Sequence, residues 1–173
     1  MRRFIVTVVS AALAVAPVGL ATAGASAAAS GPAAAHAKAA NWPTVRQGAK
    51  GERVRTIQYL LTARGIKEPA DGVYGKDTVA SVKKFQKANK LAQDGSVGPS
   101  TWTKLVLTVK QGSKGSAVTA LQRQLRFTWG YKSVTVDGSF GKATTTAVKS
   151  FQKKKGLKSD GVVGQGTWKA LVS

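Results

Sequence analysis

The chain has 173 residues, no cysteine, one histidine and a formal net charge of +20. Without thiols it has no disulfide framework, and one imidazole leaves a zinc site only an unusual all-carboxylate ligand set and gives no marked base for a serine nucleophile. A balance this basic suits an anionic partner, which outside the cell means a charged surface and inside it nucleic acid.

Arg2 and Arg3 precede an apolar run from Phe4 to Leu20, and small residues follow with A-x-A sites at Ala21 to Ala23 and Ala25 to Ala27. Residues 1–27 therefore read as a cleaved secretory signal peptide. The run is shorter than the ~20 apolar residues of a membrane span, and Pro17 and Gly19 interrupt it. The mature form is expected outside the cell without a membrane span. Residues 28–43 are Ala-rich, hold His36, and read as a flexible lead-in because they offer little bulk to bury.

A longer pattern then occurs twice, over 44–106 and 108–172. "TVRQGAKGERVRTIQYLL" from Thr44 matches "TVKQGSKGSAVTALQRQL" from Thr108, and the second copy carries two extra residues within "FTWGYKSVTV". In the first copy Val54, Ile57, Leu60 and Leu61 recur at helical spacing, as do Val79, Val82 and Phe85, then Trp102 and Leu105. Val118, Leu121 and Leu125, then Ala147, Val148 and Phe151, then Trp168 and Leu171 repeat those stripes. Each copy is thus expected to be an all-α module of two longer helices and a short one.

Between the helices stands D-G-x-x-G-x-x-T, found as "DGVYGKDT", "DGSVGPST", "DGSFGKAT" and "DGVVGQGT". Asp bonds backbone N–H groups two residues on and Gly tolerates positive φ, so the frame reads as a turn that launches a helix. Thr falls in the first turn, where its hydroxyl is expected to answer an unpaired N–H. Gly75 and Gly141 are expected to be intolerant of Val because a β-branched residue suits positive φ poorly.

As chemistry, Asp71 with Asp94 or Asp137 with Asp160 are the recurrent carboxylate pairs that a glycosidase would need. The turn signature already accounts for each Asp, and one Asp per loop falls short of a calcium shell. Neither a metal nor another cofactor is expected. The lysines at 83, 84, 87 and 90, and at 149, 153, 154, 155 and 158, suit helix C-termini and equally suit a polyanion. Trp102 and Trp168 read as core, Tyr74 and Phe140 as packed with an edge left toward a groove, and Trp129 and Tyr131 as surface recognition, so that Tyr74, Phe140, Trp129 and Tyr131 are the candidate ligand contacts.

Gln58 with the first frame, Phe85 and Gln86, and then the second frame resemble the peptidoglycan-binding domain found beside cell-wall hydrolases and carboxypeptidases, in two tandem copies. That resemblance implies small three-helix bundles that bind murein without catalysis of their own, and no room is expected for a catalytic domain. The expected role is a secreted, cell-wall-associated binding protein with peptidoglycan as partner, joined by anionic wall polymers or a separate cell-wall enzyme. The alternatives are an electrostatic binder of teichoic acid or extracellular nucleic acid, and a wall hydrolase using Asp94 or Asp160.

Overall fold

The computed structural model describes residues 41–173. The expected signal peptide, most of the Ala-rich segment and His36 lie outside the described residues. What is described is helical, as the apolar stripes require. The first module contains α1 (Glu52–Ala63), α2 (Lys76–Ala88) and α3 (Pro99–Leu105). The second contains α4 (Ser116–Arg123), which continues as a π-helical turn over Gln124–Thr128, then α5 (Lys142–Lys154) and α6 (Gln165–Val172). Among the described residues the extended backbone amounts to isolated antiparallel bridges, Val45 with Val97 and Lys50 with Val73, repeated as Val109 with Val163 and Lys114 with Ser139.

The predicted stripes are the observed core, with Val79 only half-buried at its edge. Ile57, Leu60, Leu61, Val82, Trp102 and Leu105 are fully buried in the first module, and Val118, Leu121, Leu125, Val148, Phe151 and Trp168 in the second. Each large side chain so buried contributes about 1.5–3 kcal/mol, which is how a module this small holds together without disulfides. The indole N–H of Trp102 donates to Pro43 O and that of Trp168 to Leu107 O, each at 2.7 Å, so each short helix is tied to the segment that enters its module. The structured part also begins before Thr44, because Trp42 stacks on Trp102 with ring centroids 5.5 Å apart.

The modules meet through equivalent helices, α1 against α4 and its π-helical extension. Arg123 grips Glu52 at both oxygens, Nε to Oε2 at 2.9 Å and an Nη to Oε1 at 2.7 Å. Gln124 Nε2 donates to Thr56 Oγ1 at 2.8 Å, inside the same contact. The π-helical turn absorbs part of the two-residue insertion. Arg64 in the first module and Trp129 in the second both donate to the final carbonyls of their third helix, to Leu105 O and Leu171 O, each at 3.0 Å. Trp129 follows Leu125 one residue later than Arg64 follows Leu61, and a widened turn restores the match.

Candidate ligand-binding site

The frame works through a residue on the helix before it. Gln58, buried in α1, places Nε2 2.8 Å from Asp71 Oδ1, 3.2 Å from Val73 O and 3.3 Å from Thr78 Oγ1, while its Oε1 accepts from Gly72 N at 2.9 Å. Gln86 makes the same set with Asp94, Ser96, Thr101 and Gly95. Gln122 does so with Asp137, Ser139, Thr144 and Gly138. Gln152 does so with Asp160, Val162, Thr167 and Gly161. One buried amide thus satisfies a carboxylate, a carbonyl, a hydroxyl and a backbone N–H. A Gln suits this because it carries both donor and acceptor on one planar group.

Two sequence expectations change here. The Thr hydroxyl meets the Gln amide, and the helices start at Gly75, Gly98, Gly141 and Gly164 with no side-chain cap. Positive φ belongs to the first glycine of each frame, at 77° for Gly72, 71° for Gly95, 71° for Gly138 and 77° for Gly161. Gly75 and Gly141 lie at −84° and −90°, where any residue is at ease, and a Cβ there would meet nothing within 4 Å. At Gly95 a Cβ would come within 2.8 Å of Val79 and 3.1 Å of the Lys83 stem.

All four Asp side chains accept from the N–H two residues on, at 2.8 Å for Asp71, Asp94 and Asp137 and 2.9 Å for Asp160. That bond first, and the Gln amide second, hold each carboxyl below the usual Asp range. Hydrogen bonds to the charged form act in this direction. A general acid needs the opposite shift, so these carboxylates are unsuited to deliver a proton.

The second frame of each module borders a groove, and the two grooves correspond. In the first module a groove of about 360 Å³ is lined by Gln86, Lys90, Leu91, Asp94, Gly98 and Thr101. In the second, about 240 Å³ is enclosed by Gln152, Leu157, Lys158, Asp160, Gly164 and Thr167. Each offers an apolar wall from Leu, an anion from Asp and a lysine ammonium. Lys90 takes a left-handed backbone, φ 55°, where the second module has Gly156 at 66°. A non-glycine residue in that region carries strain, and such residues gather at functional sites.

The four aromatics expected to touch a ligand divide by depth. Tyr74 is 1% exposed and Phe140 2%, so neither turns a ring face outward. Tyr74 reaches the frame beside the first groove, donating its hydroxyl to Gly95 O at 2.8 Å. Burial first, then the charges of Asp94 and Glu68, push that phenol well above its ordinary pKa. Trp129 and Tyr131 are half-buried. Trp129 meets Phe151 edge-on at 5.1 Å and carries Lys155 Nζ 3.8 Å over its ring. Sequence reasoning passed over Phe127, which is 55% exposed on the π-helical turn with Arg123 over its face at 4.8 Å. The lysines at 83, 84, 87, 90, 149, 153, 154 and 158 are exposed, as a charged face requires. No group of three or more His, Cys, Asp or Glu side chains able to hold a metal occurs among the described residues, and no described helix is long and apolar enough to cross a membrane.

Comparison with known proteins adds what geometry alone does not. The family described as "Putative peptidoglycan binding domain" matches residues 50–105 and again 114–171. A protein described as "Probable N-acetylmuramoyl-L-alanine amidase" of Bacillus licheniformis is 34% identical over 157 residues, covering 75% of this chain and 44% of the amidase. The zinc D-Ala-D-Ala carboxypeptidase of Streptomyces albus G is 32% identical over 178 residues, covering 83% of this chain and 70% of that protein. A crystal structure of a peptidoglycan-binding protein from Clostridioides difficile in complex with glutamine hydroxamate is 38% identical over 36% of this chain and 40% of its own, with a TM-score of 0.36. The chain spans less than half the length of the amidase it matches.

Proposed function

The chain belongs to the peptidoglycan-binding domain family, and we propose that it is an exported, non-catalytic binder of peptidoglycan at the cell wall. The observation that carries this reading is the state of the frame carboxylates. Asp94 and Asp160 border the grooves, yet each is fixed as an anion by its own turn and a buried Gln. They are suited to hold a ligand's donors and unsuited to deliver a proton. Lys90 and Lys158 stand ready for a ligand carboxylate, and Leu91 and Leu157 for its apolar stem. Of the four aromatics, Trp129 and Tyr131 are assigned to the rim of the binding surface. Tyr74 and Phe140 are assigned to shaping it from within. In this role the chain brings attachment, and a separate cell-wall enzyme brings the chemistry.

The exposed lysines support a second contribution, long-range attraction to anionic wall polymers such as teichoic acid. Salt separates the two. Exposed charges are screened within about 3 Å at 1 M salt, so purified sacculi stripped of teichoic acid should still retain the protein there. Complete release at high salt would leave only the polyanion reading. Release of soluble muropeptides, abolished by Asp94→Asn with the fold intact, would overturn the non-catalytic reading. Export is assigned to residues 1–27 as a signal peptide, and intact mass of the protein in the culture medium tests it. A retained Met1 would rule it out.

A further inference from the structure

The modules enclose a second kind of cleft, one that neither contains alone. It has a volume of about 250 Å³ and lies where the start of α1 faces the π-helical turn and the end of α6. Lys50, Glu52 and Arg53 come from the first module, and Gln124, Thr128 and Leu171 from the second. Ligand sites favour such junctions, and π-helical turns are over-represented at functional positions.

Its charges are unequal. Glu52 is neutralised by Arg123 and Arg55, at 2.7 and 3.0 Å. Lys50 and Arg53 take part in no ion pair among the described residues, and both are exposed. Beside them Gln124 is 1% exposed, and its Oε1 is the one buried side-chain polar atom among the described residues without a hydrogen-bond partner. The amide cannot be turned over to relieve this. Thr56 spends its hydroxyl proton on Glu52 O at 2.9 Å, so it can only accept from Gln124, which fixes Nε2 toward Thr56. An unmet buried acceptor costs about 1–3 kcal/mol. At the equivalent place the first module has Leu60, which carries no such cost.

We propose that this cleft is a binding site for the carboxylate end of a short peptide. Lys50 and Arg53 take the carboxylate, Leu171 meets the side chain, and the last amide N–H takes up the unmet Gln124 Oε1 as the cleft opens to admit the ligand. The volume falls below the roughly 300–1,000 Å³ of pockets for drug-sized ligands, so it takes a chain end rather than a length of polymer. The inference rests on the peptidoglycan reading for the source of that peptide, a stem of the wall, and not for the chemistry of the site.

The test is an NMR titration of the tandem protein with N-acetyl-D-alanyl-D-alanine and with its C-terminal amide. The free acid should shift the Gln124 side-chain NH2 signals and the amides of Lys50, Arg53 and Thr128 saturably. Losing a charge-assisted contact should weaken the amide form about tenfold. Gln124→Leu should abolish the shifts. The surface double variant Lys50→Gln with Arg53→Gln, which disturbs no core, should erase the preference for acid over amide. Shifts confined to the two grooves, or an unchanged preference in the double variant, would overturn the cleft. Sacculus binding by the wild type is measured alongside. Its loss would remove the peptidoglycan reading, and its retention with a silent cleft would remove only this inference.

Discussion

The two modules carry the same staple in different surroundings. Behind the first frame of module one, Glu68 accepts from Thr78 and Ser81, and the Tyr74 hydroxyl bonds Gly95 O. At the equivalent places module two has Val134, Ala147 and Phe140, all buried and apolar. The four Gln amides are nonetheless placed alike. The Gln staple is thus what the two modules share, and the packing behind it is free to be polar or apolar.

Breaking the staple should have the largest effect. Gln58→Leu and Gln122→Leu each leave a buried N–H and carbonyl unmet, and each should cost about 3 kcal/mol. Near-equal losses in urea denaturation would uphold the shared role, and a loss in one module alone would refute it. Next come the glycines. Gly95→Ala, strained and crowded, should cost about 2 kcal/mol, and Gly75→Ala only a few tenths. Thermal melts of the two variants decide whether positive φ lies where the backbone puts it.

The hydroxyl that separates the modules should be worth less. Tyr74→Phe should cost about 1 kcal/mol, and Phe140→Tyr should gain no more than that, with Gly161, the counterpart of Gly95 in the repeat, as the expected acceptor. A costless Tyr74→Phe would make the polar interior of module one incidental. The smallest effect is a gain. Lys90→Gly, which copies Gly156, should stabilise by about 0.5–1 kcal/mol. If it also weakens sacculus binding, the strain at Lys90 is retained for the ligand.

The helices, the buried Trp102 and Trp168, and the Asp-Gly turns were legible because each is a local pattern: an apolar stripe, or a short side chain beside a glycine. Which glycine takes positive φ was not, because both stand at turn ends and only the closed Asp hydrogen bond distinguishes them. The partner of Thr78 was hidden for a different reason. Gln58 is 13 residues from Asp71 and Gln122 is 15 from Asp137, against 8 for both second frames, so no one spacing marks all four pairs. A signal was present in the recurrence of Gln inside an apolar stripe before all four frames. Tyr74 and Phe140 looked open because they sit in loops, and the loops fold over them. Trp42 was assigned to the lead-in by its Ala-rich neighbours, although a tryptophan has reason to pack. The π-helical turn depends on where two inserted residues are absorbed, which only the third helix's carbonyls determine.

Each staple depends on a nitrogen where an oxygen would have nearly the same shape. Slow hydrolysis of Gln86 to Glu, a common route of chemical ageing for amides in heat, would replace a donor 2.7 Å from Asp94 with a second carboxylate. The module would then hold two like charges in contact, and one would have to take up a proton or leave. The working life of each module is then set by how well these four amides are kept from water. Their burial, 1% exposed in every case, thus acts as a clock as well as a core.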